Sequence, residues 1–163
     1  VFFFQYALEY LNLNPYDKLL DLNDFYWQHF YLNMKPFPDA LEVLRKLKEK
    51  KIATCLCTDM TAMEQYRKVR VLGMDTLLDK MVSSEEVCIE KPDRRTFLRA
   101  LSKMGIAAEE SLMVGDNLQK DILGAKNVGI RPLWRSANKI TAEKFSVECF
   151  MRYDEDIWLD LLK

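Results

Sequence analysis

The feature that most restricts the fold of this chain is a regular alternation of short apolar runs and amphipathic stretches after Pro36-Phe37-Pro38. The apolar runs have the length of buried strands, and the amphipathic stretches repeat apolar residues at helical spacing. The predicted strands are 51–57, 81–82, 111–114, 130–134 and 147–151, and the predicted helices are 38–50, 62–72, 93–104, 118–127 and 154–162. This alternation predicts an α/β fold, in which a parallel sheet carries helices on both faces.

Residues 1–35 precede this alternation and follow a different pattern. Their apolar and aromatic residues recur at helical spacing in two stretches, which Asn12 to Pro15 separates. Pro36 and Pro38 then mark a boundary, because proline is excluded from helix interiors and restricts the residue before it. The sequence therefore predicts two helices in a small separate unit. Their apolar faces are Phe4, Ala7, Leu8 and Leu11, and Leu22, Tyr26, His29 and Phe30.

The balance of charges and the lengths of the apolar runs limit the kinds of partner that this chain can bind. The 24 basic residues nearly balance the 25 acidic ones, so the chain has no electrostatic footprint for nucleic acid or an anionic membrane. Its apolar runs are shorter than the roughly 20 residues that a membrane span needs. The four cysteines lack metal-type spacing and are expected to be reduced thiols in a cytoplasmic protein. We therefore expect a small-molecule site.

Polar residues stand at three of the predicted strand ends, which is where ligands bind in parallel sheets. Thr58 and Asp59 follow the first strand, Lys91 precedes a helix, and Asp116 follows the third strand with Asp121 five residues later. A hydroxyl and backbone N–H groups can hold phosphoryl oxygens, and an ammonium can offset their charge. Carboxylates can hold Mg²⁺. The pattern predicts phosphoryl transfer.

Each of these residues also has an ordinary structural interpretation. Asp116 and Thr58 can cap the helices that follow them, Lys91 can be a surface lysine, and Asp121 can be an acid on a helix surface. The occurrence of all of them, in order and at strand ends, favours a site.

The same motifs resemble those of the haloacid dehalogenase-like hydrolases. That family has a Ser or Thr at a strand end, a lysine often written K-P-D, and a G-D-x-x-x-x-D loop. Thr58, Lys91-Pro92-Asp93 and Gly115–Asp121 match these motifs in order. The resemblance covers about residues 36–163 and implies a Rossmann-like core. It also implies that residues 1–35 are a remnant of the helical cap that such enzymes insert.

The resemblance implies a role for each matched residue. Thr58 would donate a hydrogen bond to a phosphoryl oxygen, with Asp59 helping through its backbone amide. Lys91 would bridge the phosphoryl group and the nucleophile. Asp116 would bind Mg²⁺, and Asp121 would ligate the metal or order its waters. The implied activity is hydrolysis of a small phosphorylated metabolite through an aspartyl-phosphate, by a monomer or homodimer.

The nucleophilic segment of that family, D-x-D-x-T, is missing from the sequence. Its closest counterpart surrounds Asp21 but lacks the second aspartate and the threonine. We expect the nucleophile either in residues upstream of Val1 or after Val1–Phe4, if that stretch ends the first strand and the following loop is lost. Because Phe4, Ala7 and Leu8 form a helical face, we favour the first alternative. The core is then expected to lack its first strand.

The sequence is compatible with other functions as well. A chain without a nucleophile would be an inactive relative or a binding module. A phosphomutase would share the same motifs, whereas Asp116 argues against a metal-free dehalogenase. Phosphonate cleavage would need a cap lysine, and only Lys18 and Lys35 are available there. His29 is expected to be a packed residue of the cap rather than a substrate contact.

Overall fold

The computed structural model describes residues 2–153 and divides the chain into two compact units, Val1–Lys35 and Pro36–Lys163. The terminal helix predicted at 154–162 lies outside the described residues.

The first unit is a pair of helices, as the sequence predicts. Helix α1 spans Phe2–Tyr10 and α2 spans Pro15–Asn33. The Asn14 side chain caps α2 by accepting a hydrogen bond from the Tyr16 N–H at 3.1 Å, and Pro15 occupies the first turn, where its missing N–H is tolerated. Because residues 2–4 are helical, the alternative in which they end a strand is wrong. Asp21 lies in the middle of α2 rather than at a strand end, so the structure does not favour it as a nucleophile.

The second unit alternates strands and helices in the predicted order. Its strands are β1 Cys55–Thr58, β2 Lys80–Ser83, β3 Leu112–Gly115, β4 Arg131–Arg135 and β5 Glu148–Phe150. Its helices are α3 Ala40–Glu49, α4 Ala62–Val71, α5 Ser84–Val87, α6 Arg94–Met104, α7 Gly124–Lys126 and α8 Lys139–Phe145, with a 3₁₀ turn at Ala108–Glu110 and a π-helical turn at Leu118–Leu123.

All strand pairings are parallel, but the sheet is in two parts. Strand β1 pairs with β2, and separately β3 pairs with β4 and β4 with β5. The strand predicted at 51–57 is shorter than expected and begins at Cys55. The preceding Thr54 N–H donates to the Asp79 carboxylate at 2.8 Å, so a side chain takes the place of a ladder partner.

Helices cover both faces of the β3–β4–β5 sheet, which confirms the α/β, Rossmann-like class. Leu133 packs with Val43 of α3 and Phe150. The next residue, Trp134, points to the opposite face and packs with Ile122 and Ala142. Successive strand residues face opposite sides of a sheet, so these two clusters lie on its two faces.

Three local features differ from the sequence prediction. Helices α5 and α8 were not expected, and the helix predicted at 118–127 is π-helical over its first six residues. The wide turn arises because Asp121 folds back on Asn117. The Asp121 Oδ2 accepts from the Asn117 N–H at 3.0 Å, and the Asn117 carbonyl accepts from the N–H groups of both Asp121, at 2.9 Å, and Ile122, at 3.3 Å; the bond from Ile122 is the one that closes a π-helical turn.

The sequence predicts reduced cysteines and no membrane-spanning segment. The four cysteines are free thiols, as predicted. Within residues 2–153, every helix falls short of the length and apolarity that crossing a bilayer requires.

Leu133 tests the account of the core. It is fully buried, so Leu133→Ala should lower the free energy of unfolding by about 2–5 kcal/mol through lost burial and a residual cavity. Ile140→Ala is the matched control, because Ile140 is 84% exposed and its truncation should change stability by less than about 0.5 kcal/mol. Urea denaturation measures both; equal effects would contradict this packing.

Candidate functional site

The loops that follow β1 and β3 meet the segment before α6 at the carboxyl edge of the strands. A cavity of about 220 Å³ lies between them. Three of the predicted site residues line it, namely Lys91, Asp116 and Asp121, together with Phe37, Cys57, Met113, Val114, Gly115, Arg135 and Tyr153. Thr58 and Asp59 lie beside this cavity on the β1 side.

Lys91 forms the most buried charge pair of the second unit's described part. Its Nζ donates to Asp121 Oδ1 at 2.6 Å and to the Cys57 carbonyl at 2.9 Å, and the two charged side chains are only 10% and 8% exposed. Cys57 belongs to β1, whereas Asp121 follows β3. The ammonium therefore connects the two parts of the sheet.

Gly115 allows Asp121 to approach the end of β3. A Cβ atom at position 115 would lie 2.5 Å from Asp121 Cβ and 2.7 Å from its carboxyl carbon. Such contacts are shorter than atoms tolerate, so the glycine of the G-D-x-x-x-x-D loop is explained by close approach, not by backbone freedom.

The Asp59 side chain ties the site together more extensively than the sequence predicts. Its Oδ1 accepts from the Lys91 N–H at 3.0 Å and its Oδ2 from Lys120 Nζ at 2.9 Å. Lys120 Nζ also lies 2.9 Å from Glu90 Oε2. Burial raises the pKa of Asp59, but the hydrogen bonds from Lys120 and the Lys91 N–H, with both positive charges, outweigh it and lower the net pKa.

Thr58 ends β1 and is half-buried. Its hydroxyl donates to the Asp59 carbonyl at 3.2 Å, a long bond that a better acceptor can replace. Thr58 therefore follows Cys57, whose carbonyl accepts a hydrogen bond from Lys91, but Thr58 does not line the cavity.

The two carboxylates of the Gly115–Asp121 loop have different surroundings. Both oxygens of Asp121 already accept hydrogen bonds, from Lys91 and from the Asn117 N–H. Asp116 is exposed; Trp134 Nε1 donates to its backbone carbonyl at 2.9 Å, and its carboxylate has no hydrogen-bond or ion-pair partner in the described part of the chain. Asp116 is therefore the carboxylate available to a cation.

The different surroundings of Asp116 and Asp121 decide how each of them could bind Mg²⁺. Among residues 2–153, no group of three or more His, Cys, Asp or Glu side chains is arranged to hold a metal ion. Mg²⁺ keeps several waters and needs only one or two carboxylates besides a phosphate oxygen. Asp116 fits as one such ligand. Asp121 retains one lone pair on each oxygen for water.

The wall formed by Phe37, Arg135 and Tyr153 was not predicted. The guanidinium carbon of Arg135 lies 3.8 Å from the Phe37 ring centroid and 5.4 Å from that of Tyr153. Burial raises the pKa of Tyr153; Arg135 opposes this rise and Asp116 adds to it. The charges of Arg135 and Asp116 therefore both act on the Tyr153 hydroxyl.

Sequence reasoning missed Lys120, Trp134 and Arg135 for different reasons. Lys120 lies inside the predicted loop, but its partner Asp59 is 61 positions away. Trp134 and Arg135 end β4, which pairs with β3, so the strand-end criterion applied to Thr58 and Asp116 would also have selected Arg135.

The cavity also separates the two parts of the sheet. Cys57 of β1 faces Met113, Val114 and Gly115 of β3 across it, and β1 and β3 form no ladder with each other. Val114 is 37% exposed although it is an apolar residue within a strand. In the described part of the chain, both facing strand edges therefore leave backbone groups without strand partners on this side.

His29 belongs to the first unit and is exposed there. Its ring centroid lies 4.0 Å from that of Phe25, and its Nδ1 is 2.8 Å from the Phe25 carbonyl. His29 contacts its own helix, as expected of a packing residue, but its side chain is exposed rather than buried.

Comparison with known proteins gives a consistent family assignment. The family description "Haloacid dehalogenase-like hydrolase" matches residues 5–134. A ribulose-1,5-bisphosphate 5-phosphatase of Halopiger xanaduensis is 36% identical over 129 residues, which are 78% of this chain and 54% of that protein. A glyceraldehyde 3-phosphate phosphatase of Methanothermobacter thermautotrophicus is 36% identical over 71% of this chain and 51% of its own length. The chain thus spans about half the length of these relatives.

The fold has solved counterparts as well. The crystal structure of a putative beta-phosphoglucomutase from Thermotoga maritima superposes with a TM-score of 0.78, covering 94% of this chain and 73% of that one. The sequences are 22% identical, so this likeness concerns the fold alone.

The Lys91–Asp121 pair should dominate the stability of the site. Lys91→Met leaves a buried carboxylate without its counter-ion, so we expect the free energy of unfolding to fall by about 3–5 kcal/mol. Glu42→Gln is the control, because the Glu42–Lys46 pair is 58% and 47% exposed and its loss should matter by less than about 1 kcal/mol. Equal losses in urea denaturation would show that the Lys91 pair is not buried as described.

Asp59 should make stability depend on pH in the acid range. Because its pKa is lowered in the folded protein, its stabilisation is complete above the ordinary aspartate value of about 3.9 and is lost as the pH falls below it. Asp59→Asn should therefore cost about 1 kcal/mol near pH 6 and progressively less below pH ~4. Unfolding measured across this range checks it, with Asp75→Asn in an exposed loop as the control. A difference that is constant with pH would contradict the described ion pair.

Proposed function

This chain belongs to the haloacid dehalogenase-like hydrolases, and we propose that it carries most of the active site of a Mg²⁺-dependent phosphatase that acts on a small phosphorylated metabolite. The proposed reaction is hydrolysis of a phosphomonoester through an aspartyl-phosphate. The relatives named above support a phosphorylated substrate, because both are phosphatases of small metabolites.

The observation that carries the proposal is the position of the Lys91 ammonium. It is fixed by Cys57 and Asp121 at the carboxyl ends of β1 and β3. It lines a cavity with Asp116, whose carboxylate has no hydrogen-bond or ion-pair partner among the described residues. A preorganised positive charge at this point can stabilise charge on transferring phosphoryl oxygens, because it needs no rearrangement during the reaction. Lys91 would bridge the phosphoryl group and the nucleophile.

Thr58 and Asp59 would hold the phosphoryl oxygens from the β1 side. The Thr58 hydroxyl can exchange its 3.2 Å bond to the Asp59 carbonyl for a charged phosphoryl oxygen, which is a stronger acceptor. The Asp59 backbone N–H would be a second donor. The Asp59 side chain meanwhile accepts a hydrogen bond from the Lys91 N–H and so holds the two loops together.

Mg²⁺ would be held by Asp116, and it would neutralise charge on the phosphoryl oxygens when bound. Asp121 would act on the cation through ordered waters or as a further ligand. Its present bonds to Lys91 and Asn117 favour the water-ordering role.

The nucleophile belongs, in this proposal, to a strand between β1 and β3. The cavity between these edges and the missing ladder support such a strand, since a parallel insertion would join the two parts of the sheet into one. It would bring an aspartate to the same carboxyl edge as Lys91 and Asp116. Residues 36–163 would then be the core without its first strand, and residues 1–35 a remnant of the cap.

Compartment and assembly complete the proposal. Four free cysteines support a reducing cytoplasmic compartment. We expect a monomer or homodimer, because exposed aromatic side chains such as Phe3 and Tyr10 give the first unit an apolar surface.

The test is phosphate release by the full-length gene product from a panel of small phosphomonoesters, with Mg²⁺ and with EDTA. We expect activity only with Mg²⁺. Asp116→Asn should lower kcat/KM by roughly 100-fold or more, because the cation loses its ligand. Asp75→Asn, which removes an equivalent charge from an exposed loop, should leave it unchanged.

Failure to release phosphate from any substrate in the panel would contradict the proposal. Activity that persists in EDTA, or that is unaffected by Asp116→Asn, would leave a phosphatase but remove the proposed metal role.

A further inference from the structure

Lys120 connects three segments of the candidate site, although the proposed hydrolysis gives it no role. Its Nζ donates to Asp59 Oδ2 and to Glu90 Oε2, each at 2.9 Å. Asp59 lies in the loop after β1, Glu90 directly precedes Lys91, and Lys120 itself lies in the loop after β3. One ammonium therefore holds together the three loops that carry the proposed ligands of the phosphoryl group and of the cation.

The contacts of Lys120 lie outside the gap in the sheet. The residues that line the cavity between β1 and β3 include neither Lys120 nor its partners Asp59 and Glu90. A strand inserted into that cavity would therefore leave these contacts in place.

These contacts contribute little to the stability of the fold. The side chain of Lys120 is 40% exposed and that of Glu90 is 62% exposed, and ion pairs in such surroundings add little to the free energy of unfolding. The nearly buried pair of Lys91 and Asp121 already connects β1 to the loop after β3. The effect of Lys120 therefore falls mainly on the geometry of the loops.

A continuous series of contacts runs through Lys120 from the cation side of the site to the phosphoryl side. The Lys120 N–H donates to the side-chain oxygen of Asn117 at 2.8 Å, and Asn117 directly follows Asp116. At the other end of the series, Asp59 directly follows Thr58, whose hydroxyl would hold a phosphoryl oxygen. The backbone of Lys120 thus belongs to the cation loop, and its side chain reaches the phosphoryl loop.

The charge of Lys120 is matched within the protein. Hydrogen bonds to Asp59 and Glu90 raise the pKa of Lys120, so its ammonium stays protonated at neutral pH. Because both bonds go to carboxylates, this ammonium can act on a phosphoryl group through Asp59 rather than by direct attraction.

We propose that Lys120 is a positioning residue: by holding the Asp59 carboxylate, it orients the Thr58 hydroxyl and the Asp59 N–H toward the phosphoryl group. This inference rests on the proposed function. Displacement of a positioning group by about 1 Å can lower a reaction rate by roughly 100-fold, so a contact that contributes little to stability can matter at the site. Cation binding at Asp116 should be independent of the Lys120 side chain, because only the backbone of Lys120 bonds to Asn117.

Binding of inorganic phosphate to the full-length protein with Mg²⁺ tests the inference without requiring turnover. In isothermal titration calorimetry, Lys120→Met should weaken phosphate binding about tenfold, because the phosphoryl loop loses a charged hydrogen bond. Lys120→Arg should stay within about threefold of the wild type, since a guanidinium can also donate to two carboxylates. In the absence of phosphate, Mg²⁺ affinity should change less than about twofold in both variants, as expected of an effect confined to the phosphoryl loop.

Lys126→Met is the matched control. Lys126 Nζ donates to the Phe145 carbonyl at 2.8 Å, at the end of α8, so its loss removes a lysine with a comparable contact elsewhere on the surface. Phosphate binding should be unchanged in this variant.

An Asp59→Ala background separates positioning from direct attraction. If Lys120 acts through the Asp59 carboxylate, Lys120→Met should weaken phosphate binding by less than about twofold once that carboxylate is absent. A tenfold loss in both backgrounds would mean that Lys120 attracts the anion directly. That result would overturn the inference, and so would unchanged binding in Lys120→Met or equal losses in Lys120→Met and Lys120→Arg.

Phosphate release from phosphomonoesters distinguishes this inference from the proposed function. Hydrolysis by a protein whose phosphate binding does not depend on Lys120 would overturn the inference alone. Phosphate binding that depends on Lys120, without hydrolysis of any phosphomonoester, would support the inference and count against the proposed hydrolysis.

Discussion

The ammonium of Lys91 is the group on which the rest of the site depends. Strands β1 and β3 share no ladder, yet Lys91 Nζ reaches the Cys57 carbonyl at the end of one and the Asp121 carboxylate beyond the other. With both charged groups nearly buried, removal of either leaves the other uncompensated. The same bonds that stabilise this junction hold the positive charge ready for a phosphoryl group.

The two carboxylates of the loop after β3 have different roles: one stabilises the fold and the other is available for chemistry. Gly115 lets Asp121 fold back against the strand end, and the π-helical turn that follows keeps it on Lys91 and Asn117. Trp134 meanwhile holds the Asp116 backbone, and within residues 2–153 the Asp116 carboxylate has no hydrogen-bond or ion-pair partner. One short segment therefore supplies a structural anion and an anion free to bind a cation, because the two side chains meet different surroundings.

Much of this arrangement can be read from the sequence, and the rest cannot for physical reasons. Period and length identify the strands around Cys57 and Val114. Strand ends identify Thr58 and Asp116, and the start of a helix identifies Lys91. Pairing across the fold leaves no such trace: Lys120 meets Asp59 only because two distant loops converge. The resemblance predicts a core without its first strand, but the place of the gap, between β1 and β3, depends on tertiary packing that the sequence pattern does not record.

The central claim is that Lys91 and Asp116 form a phosphoryl site beside a gap that a nucleophile-bearing strand fills. A crystal structure of the full-length protein with Mg²⁺ and orthovanadate, a mimic of the phosphoryl group in transfer, tests it most directly. We predict a parallel strand between β1 and β3, Mg²⁺ on Asp116, and vanadate oxygens within hydrogen-bond distance of Lys91 Nζ and the Thr58 hydroxyl. A direct ladder between β1 and β3, or vanadate bound away from Lys91, would contradict the account.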